Sequence, residues 1–167
     1  MKGIEFEMNK NKPWIFNPST ALGLLSAILL TLGLTLPAID FSHFHEQIDI
    51  QYNLMKICEN IGLISSMWTG IPYGIIIGII ALVILSFTKI PVLKILPSLL
   101  ITAMIILMLV DMENIINWVN NILEKFNYAD YIKVNVNEIM KSFMPGIYFL
   151  ASGIIASYLS CFFKIKQ

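Results

Sequence analysis

Apolar residues fall along this chain in four long blocks, at about residues 20–36, 71–87, 95–110 and 143–163, and no block carries a charge in its middle. At 1.5 Å per helical residue, each is about long enough to cross the ~30 Å hydrocarbon core of a bilayer. Helices of a water-soluble core would show a polar face, and these do not. The pattern predicts an all-α transmembrane four-helix bundle, one membrane domain over residues 1–167. Trp14, Phe16, Phe162 and Phe163 fit an aromatic belt at one interface, and Trp68 and Tyr73 fit a belt at the other. The first block ends in Leu36-Pro37 with no small-x-small site after it, so it reads as a retained span rather than a cleaved signal.

Between the blocks the period changes. In segment 37–69, Ile39, Phe41, Ile48, Ile50 and Tyr52 alternate with polar residues, which predicts a hairpin turning near His45–Gln47. Leu54, Ile57, Cys58, Ile61 and Ile64 then recur at helical spacing behind Asn53, a good N-cap. In segment 111–142, Met112, Ile115, Ile116, Val119, Leu123 and Phe126 form a second helical stripe, which either continues the third span outward or lies bent on the surface. Ile132, Val134 and Val136 alternate again. A lone hairpin is marginal in water and a third strand helps it. The expectation is therefore a small extracytoplasmic α/β cap, with strands at 39–41, 48–52 and 132–136.

Composition agrees: 57% of the residues are hydrophobic and 13% charged, against about 45–50% and about 25% in soluble domains. All 11 basic residues are Lys, with abundant Ile and Asn, which suggests an AT-rich bacterial genome. No basic stripe is present to neutralise phosphates, so nucleic acid is not an expected partner. The placement of Lys gives the direction of the spans. With both termini cytoplasmic, Lys2, Lys10, Lys12, Lys89, Lys94, Lys164 and Lys166 face inward against only Glu5 and Glu7. The outer side holds Lys56, Lys125, Lys133 and Lys141, outnumbered by the remaining acids. That orientation puts Cys58 and Cys161 on opposite sides of the membrane, where they cannot pair.

Small residues recur four apart within the spans: Ser19, Gly23, Ala27, Thr31 and Thr35; Gly70, Gly74 and Gly78; Ser152, Ala156 and Ser160, with Gly153 and Ser157 beside them. Such stripes let helix backbones approach closely. Gly23, Ala27, Gly70, Gly74, Gly78, Gly153 and Ala156 are the expected packing positions, and a stripe left over after the bundle forms would serve a homo-oligomer. Pro91 and Pro97 shape a tight turn before the third span, and Pro37 and Pro145 mark the end of one span and the start of another.

Chemistry is sparse. His43, His45 and Glu46 are the one weak metal-ligand run: on a strand, both imidazoles would share a face. The same His pair would gain charge at acidic pH. Asp111 lies at the boundary of a span, not in its depth. No cofactor is expected, and charge-coupled transport and intramembrane proteolysis are disfavoured.

Leu36-Pro37, the Gln51-Tyr52-Asn53 end of the alternating segment, and Pro145-Gly146-Ile147-Tyr148-Phe149-Leu150-Ala151 followed by Gly153 carry a resemblance. On these residues the chain resembles a loose group of small bacterial four-span membrane proteins with a claudin-like layout. The resemblance implies a long first outer loop with strands and a shorter second one. The chain departs from claudins in lacking the paired outer-loop cysteines and the Trp/Gly-Leu-Trp signature. It departs from many members of the group in having no N-terminal zinc ribbon over residues 1–17. The expected function is non-enzymatic recognition at the cell membrane, in an immunity or accessory role. Asp40, Glu46 and Asp49 on the outer loops would meet a protein, a cationic peptide or membrane lipid. The alternative is a small oligomeric channel or carrier for a neutral solute along the Ser/Thr stripe of span one.

Overall fold

Among the described residues, four helices have the length and hydropathy to cross a membrane. The structure, a computed structural model, describes residues 17–63, 65–88, 90–126 and 134–163. The spans are α1 (Pro18–Thr35), α3 (Ser66–Ser86), α4 (Ile95–Val110, entered through a 3-10 turn at Pro91–Lys94) and α7 (Pro145–Phe162). Each packs on two others: α1 on α7 and α3, α4 on α3 and α7, which closes a four-membered ring. Their outward faces are apolar, with Ile77, Ile84, Leu96 and Ile155 all about 60% exposed. Such faces suit hydrocarbon and not water. This is a multi-pass membrane protein.

Local chemistry sets the helix ends. Asn17 caps α1, accepting from the Ser19 amide at 3.0 Å, with Pro18 opening the first turn. Before Pro37 the backbone is pushed out of the helical region, and α1 ends at Thr35. Asn53 caps α2 (Leu54–Gly62) by accepting from the Lys56 amide at 2.9 Å. The third span does not continue outward: the chain breaks at Asp111 and restarts as the amphipathic α5 (Met112–Lys125). The buried face of α5 is Ile115, Trp118, Val119, Ile122 and Leu123.

The hairpin forms, but as two short strands, β1 (Pro37–Asp40) and β2 (Gln51–Asn53), paired antiparallel with Ile39 opposite Tyr52. The expected third strand at 132–136 does not appear among the described residues. Residues 131–133 lie outside them, and Val136 opens α6 (Val136–Lys141), because Asn135 caps that helix by accepting from the Glu138 amide. A different stretch lies beside β1. The Asp40 amide donates to the Ser142 carbonyl, the Met144 amide to the Ala38 carbonyl, and Ile39 bridges Phe143. The segment leading into α7 thus serves as the third edge.

The α1–α7 seam is the most extensive in the bundle. The Ser19 hydroxyl donates to the Ser160 carbonyl and the Ser26 hydroxyl to the Gly153 carbonyl, both at 2.7 Å. These contacts step by seven residues on both helices, and one step further along α1 Gly33 lies against Leu150. The working stripe on α1 is therefore Ser19, Ser26 and Gly33, at the heptad spacing of antiparallel packing. Of the residues four apart, Gly23 and Ala27 are buried, while Thr31 and Thr35 are exposed with hydroxyls bonded back to Ala27 and Thr31 carbonyls. Gly74 faces Met104 and Gly78 faces Ile101, so they seat α4. Gly70 has no neighbouring atom within 4 Å of where a Cβ would stand.

Candidate functional site

The two ends of the bundle differ in kind. At the loop end, β1, β2, α2, α5 and α6 share a core centred on Phe41, which is fully buried. Its ring meets Phe44, Tyr52 and Trp118 edge-on, with centroids 5.6–5.7 Å apart. Such pairs are worth roughly 0.5–1.5 kcal/mol each beyond the area they bury. Trp68, expected in an interfacial belt, is fully buried here, and its indole donates to Asp111 at 2.6 Å. Asn114 donates to the same carboxylate oxygen. Asp111 thereby ties the start of α3 to the bend between α4 and α5.

The residues singled out for chemistry do not converge. His43 ends a 3-10 turn (Phe41–His43) and lies 3.5 Å from Glu138, which Lys141 also pairs at 2.8 Å. The hydrogen bond from Lys141, aided by His43, holds the Glu138 carboxyl below its ordinary range. His45 accepts from the Gln47 amide, and Glu46 is exposed. The strand geometry that would aim both imidazoles at one ion is replaced by a turn. Among the described residues no group of three His, Cys, Asp or Glu side chains could hold a metal ion. Asp40 is half-buried and structural, accepting from the Ser42 amide at 2.9 Å, whereas Asp49, like Glu46, is exposed.

At the other end lies a group that charge counting treats as solvated. Lys94 is fully buried where α1 begins and α3 and α7 end. Its ammonium donates to both the carbonyl and the hydroxyl of Ser19, each at 2.7 Å. Thr20 donates to the Ser86 carbonyl, and Gly23 leaves room for the Ser86 hydroxyl and the Lys94 Nζ. The Ser19 hydroxyl donates to Ser160 and accepts from Lys94. That arrangement holds a charged lysine as a pin between helix ends, two of which are C-termini that favour a cation.

No family model, curated protein or solved structure matches the chain. The claudin-like resemblance stands on the residues quoted for it alone.

Between the two ends, the described interior is packed with apolar side chains. Leu30, Leu34, Ile75, Leu82, Ile101 and Leu150 fill it. The buried hydroxyls of Ser19, Thr20, Ser26, Ser86, Ser98, Ser157 and Ser160 all donate to backbone carbonyls. No buried side-chain polar atom among the described residues lacks a partner. The donors of these hydroxyls are thus committed to the helices' own backbone.

Proposed function

We propose that this is a non-enzymatic recognition protein of the cell membrane: the bundle is the anchor, and the loop end presents the binding surface outside the cytoplasm. The observation that supports this reading is the apolar-packed interior, its buried hydroxyls donating to backbone carbonyls, set against a loop end with an aromatic cluster and exposed acids. Glu46, Asp49, Glu59, Glu113 and Glu124 are all exposed there. Their charge favours a cationic protein or peptide, in an immunity or accessory role. The channel reading loses its candidate path in a single copy, since Thr31 and Thr35 lie on the outside of the bundle.

Replacing Asp40, Glu46 and Asp49 together by Asn is expected to weaken binding of cationic peptides to the purified protein about tenfold. That follows from the exposed Glu46 and Asp49 and the half-buried Asp40 at ~0.5 kcal/mol each. Expression and insertion should be unchanged, because Asn can still cap the turn after residue 40. Unchanged peptide binding, together with neutral-solute flux into liposomes carrying the protein, would return the channel reading.

Orientation has its own test. Cys58 is fully buried, and burial pushes its thiol up to about 12. Near neutral pH almost none is thiolate, so an impermeant maleimide should not label it in the folded protein. A cysteine introduced as Asp49→Cys should be labelled in intact cells. Labelling only after the cells are opened would invert the orientation.

A further inference from the structure

A trough runs down the outside of the bundle along the seam of α1 and α3, through three adjoining cavities. The first, about 220 Å³, lies under α2 and is lined by Met55, Glu59, Thr69, Pro72 and Tyr73. The second, about 210 Å³, shares Met55 and continues between Thr35, Thr31, Ile76 and Ile80. The third, about 460 Å³, shares Thr31 and Ile79 and descends past Ala27 and Ile28 to Leu24 and Val83. The walls repeat every three or four residues on both helices, so each helix contributes one continuous face.

The chemistry changes along this path. The lower two cavities are apolar, and their only hydroxyls are committed: Thr31 donates to the Ala27 carbonyl at 2.8 Å and Thr35 to the Thr31 carbonyl at 3.0 Å. The top is rich in acceptors and poor in donors. Glu59 is exposed and has no ion pair among the described residues, and the Thr69 hydroxyl is spent on the Ser66 carbonyl. Pro72 has no N–H, so the carbonyl of Trp68 lacks its helical donor. Tyr73, 67% exposed, adds an aromatic face that favours a cation.

Length narrows the occupant. From Thr35 to Leu24 the trough drops eleven residues, or ~16 Å, close to half of a ~30 Å hydrocarbon core. It therefore spans about one leaflet. A partner helix crossing the whole membrane would meet α2 above and lose the groove nearly two turns before α1 begins. An amphiphile entering from the loop-end leaflet fits on both counts, with a positive group at Glu59 and a chain below.

We propose that this trough holds one phospholipid with an amino headgroup: its ammonium at Glu59, and one acyl chain along the α1–α3 seam. Glu59 also belongs to the acidic loop face proposed to meet peptides, but the triple variant tested there leaves Glu59 in place, so the two readings fail separately. It can be tested by native mass spectrometry of the full chain released from nanodiscs of equal phosphatidylethanolamine and phosphatidylglycerol. The wild-type protein should keep one phosphatidylethanolamine, favoured about threefold over phosphatidylglycerol as expected of one exposed ion pair. Glu59→Gln should keep a lipid but lose the headgroup preference. Thr31→Phe, at an exposed position, should lose the lipid. Both variants should melt within a few degrees of wild type, which separates lost binding from lost folding. Equal lipid retention and equal headgroup ratios in all three proteins would overturn the proposal. So would preference for phosphatidylglycerol, or a dimer in place of the lipid-bound monomer.

Discussion

Lys94→Ala is expected to destabilise the folded protein by about 3 kcal/mol, a cost in the range measured when a long buried side chain is cut to a methyl group. At this chain length that corresponds to a melting point in detergent lower by roughly 6–12 °C. Two effects add. Truncation empties the space between the start of α1 and the ends of α3 and α7, which the lysine stem fills. It also removes two hydrogen bonds from a charged donor to Ser19, and such bonds are stronger than neutral ones. Lys94→Met separates the two effects, because it keeps most of the volume and discards the charge. Met removes the desolvation cost of the ammonium together with its bonds, so its loss should be smaller, about 1 kcal/mol. Melting of the Ala variant alongside wild type would show that the ammonium is not held between the helices.

That lysine also marks where a sequence stops being legible. The four spans could be read because hydrocarbon demands long apolar runs, and the blocks lie within a few residues of α1, α3, α4 and α7. The helix in the first loop could be read from Asn53 and the spacing of Leu54, Ile57, Cys58 and Ile61. The same pattern in the second loop found α5 but passed over Trp118, which the fold places against Phe41 and Tyr52. Lys94 could not be placed, because counting lysines by loop assigns each to water. Two nearby prolines and a serine-rich start to span one were the available signals, and neither points to a buried ammonium. The third edge beside β1 was hidden for another reason. Residues 142–144 read Ser-Phe-Met, with no alternation to reveal pairing. Their partner is about one hundred residues away, and only the closing of α1 against α7 brings them together.

The glycines give the sharpest test of that closing, because structure and spacing rank them differently. By spacing, Gly70, Gly74 and Gly78 are equivalent; by contact, they are not. A methyl group added at Gly146 would stand 2.7 Å from the carbonyl oxygen of Pro37 and 2.8 Å from that of Leu36. Both are backbone atoms at the turn where β1 begins, so neither can move without displacing the sheet. Gly146→Ala should therefore cost about 3 kcal/mol, the upper end of overpacking, and should weaken the β1 edge together with the α1–α7 seam. Gly74→Ala meets only the flexible side chain of Met104, at 2.8 Å from its sulfur, and should cost less than about 1 kcal/mol as the thioether swings aside. Gly70→Ala meets nothing within 4 Å and replaces the poorest non-proline helix former by the best. It should be neutral, or stabilising by up to ~1 kcal/mol. Thermal melts of the three single variants in one detergent should therefore rank Gly146→Ala lowest, Gly74→Ala intermediate and Gly70→Ala at or above wild type. If Gly70→Ala falls below Gly74→Ala, the exposed face of α3 is an interface between copies, and the stripe read from spacing alone is the one that matters. If Gly146→Ala melts with wild type, α7 does not close on the Leu36–Pro37 turn, and the third edge of the sheet is lost with it.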